Sequence, residues 1–158
     1  MFKIGDKVVY PMHGAGIIEA IEEKEVLGKK RQYYIMRMPI GNMKVMIPLD
    51  SVQEIGLRKV IEGQDVESVM QILRNKETEM STNWNRRYRT NMEKIKSGDI
   101  FEVAEVVRNL LHREREKGLS TGERKMLENA RQILISEMVL AENKEEEQVE
   151  SMLEGMFA

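Results

Sequence analysis

The chain of 158 residues has no cysteine, three prolines and one tryptophan. Without cysteine there is no disulfide framework, no thiol nucleophile and no thiolate metal site. Its two histidines, His13 and His112, lie far apart in sequence with no ligand pattern beside either, so a zinc site is not indicated. No window approaches the ~18 uninterrupted apolar residues of a membrane span. The first residues lack the basic stretch and apolar run of a signal peptide, and a cytoplasmic protein without a membrane partner is expected. Carboxylates fall at expected helix caps and solvent faces and form no cluster that would hold a metal or poise a base, so neither an enzyme nor a cofactor is expected.

A hydrophobic content of 41% beside 33% charged residues fits a globular chain, long enough for one ordinary domain or two small ones. The thirteen methionines read most simply as flexible core filler. A formal net charge of −2 argues against a protein that coats DNA unaided, because such binding comes mostly from phosphate neutralisation. The average conceals segregation. Over residues 84–96 the bases Arg86, Arg87, Arg89, Lys94 and Lys96 face one acid, Glu93, whereas from residue 143 onward Glu145, Glu146, Glu147, Glu150 and Glu154 face only Lys144. A basic patch joined to an acidic segment suggests DNA contact that is weak alone and depends on delivery by a partner.

Residues 1–60 read as a β module. Short apolar stretches at 7–10, 17–22, 32–38 and 43–47 are separated by turn signals at 11–16 and 39–42 and by a charged hairpin tip at 23–31 with Gly28 at its bend, and a short fifth strand is expected at 51–55. Five short strands in so little chain fit a small barrel of the SH3 or Tudor kind, whose exposed edge can pair with a strand of a partner. His13 reads as a turn residue. The run Gly14, Ala15, Gly16 has neither the lysine nor the following helix of a phosphate-binding loop.

Residues 61–158 change to a period near 3.6, predicting a compact all-α bundle, so the fold class is α+β with two domains. Asp65 is expected to cap a first helix, Thr82 or Asn83 a second and Asp99 a third. Ser120 with Glu123 forms a capping box for a fourth, and a last amphipathic segment covers about 145–157. Within Asn83-Trp84-Asn85-Arg86-Arg87-Tyr88-Arg89 two readings of the tryptophan stay open. Trp84, Tyr88, Met92 and Ile95 follow helical spacing and could form a buried stripe, or the indole could be an apolar wedge among phosphate-binding arginines. Arg124 and Lys125 in the first turns of the fourth helix stand where acids would suit the dipole, and could help that end hold a phosphate.

These motifs resemble the CarD/CdnL family of bacterial RNA polymerase-binding transcription regulators over nearly the whole chain. The resemblance rests on Phe2-Lys3-Ile4-Gly5-Asp6, Val8-Val9-Tyr10-Pro11, His13-Gly14 and Asn83-Trp84-Asn85-Arg86-Arg87-Tyr88. It continues in Ser97-Gly98-Asp99, Val103-Ala104-Glu105-Val106-Val107-Arg108, Gly118-Leu119-Ser120 and Ala130-Arg131-Gln132-Ile133-Leu134. It implies a Tudor-like domain that docks on the polymerase β-subunit lobe, and a helical domain whose tryptophan wedges into the minor groove at the upstream edge of the transcription bubble. Trp84 would be that wedge, stabilising the open promoter complex. Arg86, Arg87 and Arg89 would contact phosphate, with Arg124 or Lys125 as auxiliaries, and the protein would act as a monomer. Polymerase contacts are implied around Lys24, Lys44 and Met46. This chain departs from the pattern there, since some members carry arginine in place of Met46 and Lys24 replaces another. The alternative is an adaptor that binds polymerase without a DNA wedge.

Overall fold

The computed structural model describes residues 1–76 and 78–157. The fold is α+β: a five-stranded antiparallel sheet followed by a helical body. Strands β1 (Lys7–Tyr10), β2 (Gly14–Val26), β3 (Lys29–Arg37), β4 (Lys44–Pro48) and β5 (Arg58–Lys59) lie in the order β4-β3-β2-β1-β5. Alternation decides the two faces. Val8, Ile18, Tyr34, Met36 and Ile47 point inward to one cluster, whereas Ala20, Ile35 and Met46 sit in register on the opposite, outer face. A bulge between Ile18 and Ala20 bends β2 and lets the small sheet curl around its core.

Two local expectations are corrected. The fifth strand does not form at 51–55. A 3-10 turn (Leu49–Ser51) and a single helical turn, α1 (Val52–Ile55), stand there, because Leu49, Val52 and Ile55 recur every third residue and pack together on the sheet core. The charged hairpin tip at 23–31 does bend at Gly28, but most of it is strand and only two residues form the turn. Pairs Lys24↔Arg31, Glu25↔Lys30 and Val26↔Lys29 continue the ladder to a two-residue turn at Leu27 (φ 53°) and Gly28 (φ 78°). Positive φ at both positions matches the twist of a tight hairpin.

The helices are α2 (Gly63–Arg74), α3 (Trp84–Lys96), α4 (Ile100–Glu116), α5 (Thr121–Glu142) and α6 (Glu146–Phe157). Side-chain caps start three of them: Asn83 accepts from the Arg86 N–H at 2.9 Å, Asp99 from that of Phe101 at 2.9 Å, and Ser120 from that of Glu123 at 3.2 Å. Asp65 lies inside the first turn of α2, which begins after Glu62 without a side-chain cap. Val69, Leu73, Ile95, Ile100, Val107, Leu110, Leu134 and Met138 fill one core. The acidic last segment closes it, turning Val149, Leu153 and Phe157 inward from α6.

The two parts share a packed boundary along α5. Gly14 (φ 110°) brings the start of β2 so near α5 that a Cβ there would lie 2.8 Å from Ser136 Oγ, while the Ala15 N–H donates to that same oxygen at 2.9 Å. Val9 and Ala15 pack with Leu140. Glu137, fully buried, accepts from both Arg58 terminal nitrogens at 2.7 and 2.8 Å and from the Ile61 N–H at 2.9 Å. Arg58 Nε donates to the Gly98 carbonyl at 2.8 Å, so one ion pair ties β5 to the α3–α4 joint and to α5. Among the described residues no helix is long and apolar enough to cross a membrane.

Candidate nucleic-acid interface

Trp84 opens α3 on the same helical face as Asn91 and Ile95, both buried, yet the indole keeps 41% of its surface exposed. The stripe is real, but its first member overhangs the end of the bundle, so Trp84 is not core. Three contacts fix it. Its ring stacks on Tyr88 with centroids 5.0 Å apart and planes 18° from parallel. Its Nε1–H donates to Ser120 Oγ at 2.9 Å, and it lies against Gly122, whose missing Cβ would sit 3.5 Å from Cζ2. The start of α5 therefore supports the tryptophan directly.

Ser120 does several jobs within that contact. Its oxygen accepts from the indole and from the Glu123 N–H, and its hydroxyl donates to Glu123 Oε1 at 3.2 Å. The expected capping box is thus altered: the glutamate reaches the serine hydroxyl, because its carboxylate is also held by Arg87. Arg87 Nε donates to Glu123 Oε2 at 2.7 Å and its terminal nitrogen to Oε1 at 3.2 Å. Both side chains are buried, at 3% and 2% exposure. A further terminal nitrogen donates to the Ser81 carbonyl at 3.1 Å. Burial by itself raises the Glu123 carboxyl, but the bonds and charge of Arg87, with those from Ser120, outweigh it and hold the group below the usual carboxylate range.

This corrects the expectation for Arg87. Its guanidinium is spent inside the protein, fixing the loop before α3 to the start of α5, and is not free for phosphate. Arg86 and Arg89 are exposed on the outer side of α3. The two α5 cations separate: Lys125 follows Gly122 by three residues and shares its flank, whereas Arg124 lines a cleft between α4, α5 and α6 with Leu127, Arg131 and Leu153. Arg124 therefore stands apart from the tryptophan.

A partly buried network steadies the approach to α3. Arg108 donates to the Ile72 carbonyl at 3.0 Å and to Thr78 Oγ1 at 2.6 Å, and the Thr78 N–H donates to Asn109 Oδ1 at 3.0 Å. Glu105 accepts from Thr78 Oγ1 and from Lys94 Nζ, each at 2.9 Å, which leaves Lys94 engaged within the body. Burial raises the Glu105 carboxyl, and the bonds from Lys94 and Thr78 with the charges of Lys94 and Arg108 bring it below its ordinary value.

On the sheet, Lys24, Lys44 and Met46 share the outer face by register. Met46 is 44% exposed; Lys44 Nζ lies 3.3 Å from Glu19 and Lys24 Nζ 3.3 Å from Glu22. Among the described residues strand β4 pairs with β3 alone and ends the sheet. Sequence reasoning missed Ser120, Gly122 and Glu123 as supports of the tryptophan. The capping-box spacing marked a helix start, and nothing in it showed what would pack there.

A small β module is packed on a helical body that holds a partly exposed tryptophan beside arginines, a two-part α+β architecture. The chain belongs to the CarD family of transcription regulators: residues 2–61 match the CarD-like/TRCF RID domain and residues 68–154 the CarD C-terminal domain. It is 48% identical over 151 residues to YdeB of Bacillus subtilis, whose name gives it as a candidate transcription factor, covering 96% of this chain and 99% of that protein. Two solved N-terminal domains from Myxococcus xanthus are also similar. The 72-residue domain of CarD, solved by NMR, is 41% identical, covers 37% of this chain and 79% of its own and has a TM-score of 0.33. CdnLNt, also 41% identical, covers 40% and 89%, with a TM-score of 0.35.

Proposed function

We propose that the protein is a polymerase-tethered regulator that stabilises open promoter complexes. The β module docks on the RNA polymerase β-subunit lobe through the β4 edge and the outer face carrying Lys24, Lys44 and Met46. The helical body then presents Trp84 to the minor groove at the upstream edge of the bubble, with Arg86, Arg89 and Lys125 toward phosphate. The observation that carries this reading is the held, half-exposed indole. A wedge must unstack bases at a cost of a few kcal/mol, and a ring already fixed by Tyr88 and Ser120 loses little freedom on insertion. A fork junction has lost part of its stacking, so the same wedge favours open over closed DNA.

The net charge of −2 makes tethering necessary in this scheme. A docked module raises the effective concentration of a weak DNA site without adding DNA contacts. Trp84→Ala is expected to shorten open-complex lifetime by roughly tenfold, equivalent to about 1.4 kcal/mol, with affinity for polymerase retained. Equal lifetimes would remove the wedge and leave an adaptor.

A further inference from the structure

The indole of Trp84 is covered on one side and open on the other. Tyr88, one helical turn further along α3, stacks on one of its faces with centroids 5.0 Å apart and planes 18° from parallel. The Nε1–Cζ2 edge turns to the start of α5: Nε1–H donates to Ser120 Oγ at 2.9 Å, and a Cβ on Gly122 would stand 3.5 Å from Cζ2. That same Cβ would stand 3.7 Å from Tyr88 Cε2, so both rings rest by their edges on one glycine. These contacts take one face and one edge of the indole. The 41% of Trp84 that stays exposed therefore centres on the second face.

A ring that enters between two bases needs both faces free, and here Tyr88 occupies one. A ring that reads a base by hydrogen bonding needs a free donor. The minor groove offers acceptors such as adenine N3 and thymine O2, but the indole N–H is already given to Ser120. What remains is one flat apolar face, and every base has a face that can stack on it.

We propose that Trp84 and Tyr88 act as one unit that stacks on a single unpaired base at the fork, and that the pair senses whether a base is unpaired without reading which base it is. This rests on the open-complex role proposed above and deepens it. Tyr88 is a positioning residue that acts through Trp84: it backs the indole and leaves one face to offer. A base inside a duplex is covered by neighbours on both faces, whereas a base freed at the fork has a face to give. The wedge thus meets one base, not two.

The test uses the full-length protein, RNA polymerase holoenzyme and promoters in which one base at a time along the upstream edge of the bubble is replaced by an abasic site. It reads the gain in open-complex lifetime that the protein gives. The gain should fall by about tenfold at a single position, the scale of one base–aromatic stack. Each of the four bases placed there should change the gain by less than about threefold, because stacking tolerates sequence. Equal losses at two adjacent positions would mean insertion between two bases and overturn the one-faced stack. No loss at any position, or a gain that one base alone supports, would overturn it as well. Tyr88→Leu keeps an apolar side chain toward the helical core but removes the ring, and should lose the gain, with Tyr88→Phe restoring it. A Tyr88→Leu protein equal to the parent would remove Tyr88 from the unit. The abasic scan uses the parent alone, so its outcome stands whether or not Tyr88→Leu folds. A parent that gives no gain on the intact promoter would overturn the open-complex role itself.

Discussion

Removing the guanidinium of Arg87 would leave the Glu123 carboxylate buried, with Ser120 as its remaining hydrogen-bond donor and Arg113 Nε still 4.0 Å away. Breaking a buried pair from one side typically costs about 3–5 kcal/mol, so Arg87→Ala should lower stability by that order in urea unfolding. Arg86→Ala removes an exposed cation and should stay within about 0.5 kcal/mol of the parent. In the polymerase–promoter complex Arg86→Ala should instead reduce the salt dependence of binding by about one unit of slope. The pH dependence follows from Glu123 and Glu105, whose folded carboxyls both titrate below their ordinary values. As pH falls, the unfolded chain takes up these protons first. The stabilisation is therefore complete above the unfolded carboxylate value of about 4.3 and is lost as pH drops through the folded one. Glu123→Gln should be less stable than the parent at neutral pH, and the difference should shrink on acidification. A difference that stays constant down to about pH 3 would refute the linkage.

The element that gives the site its shape is the first turn of α5. Ser120→Ala removes the cap, at a cost of about 1 kcal/mol, and also the acceptor of the indole N–H. Trp84 is the only tryptophan, so its emission should shift to the red and its anisotropy should fall in that variant. Gly122→Ala should do the opposite. An added methyl meets Trp84 at 3.5 Å, an ordinary contact, and alanine favours the helix by up to about 1 kcal/mol. Capping is also where the sequence was most legible, because Asn83, Asp99 and Ser120 act within three residues of themselves. Strand β1 was legible for a similar reason, since Pro11 and the glycines after it end the apolar run. The helix at 52–55 was hidden because three-residue spacing over so short a stretch competes with strand alternation. Arg87 was misplaced because its residue type favours water, and the buried acid that reverses this preference lies 36 positions away. The same separation hid the support of Trp84 by Ser120.

At the scale of the molecule, α5 joins the two working surfaces: its first turn holds Trp84, and fifteen residues on, at about 1.5 Å per residue, Ser136 and Glu137 hold the sheet. The Arg58–Glu137 pair is the polar lock of that joint, and its chemistry separates stability from orientation. Arg58→Ala strands a carboxylate with no exposed surface and should cost about 3–5 kcal/mol. Replacing both partners, Arg58→Met with Glu137→Leu, removes the buried charges together and should recover much of that loss. The recovery should be incomplete, because the Ile61 N–H and the Gly98 carbonyl lose their partners. Apolar packing has no fixed direction, whereas two-pronged pairing holds the guanidinium and carboxylate in one plane. The double variant should therefore remain folded and bind polymerase, yet prolong open complexes less than the parent, with a broader interdomain distance distribution in solution scattering. A double variant that matches the parent in lifetime would mean that packing along Gly14, Ala15 and Leu140 orients Trp84 without help from the ion pair.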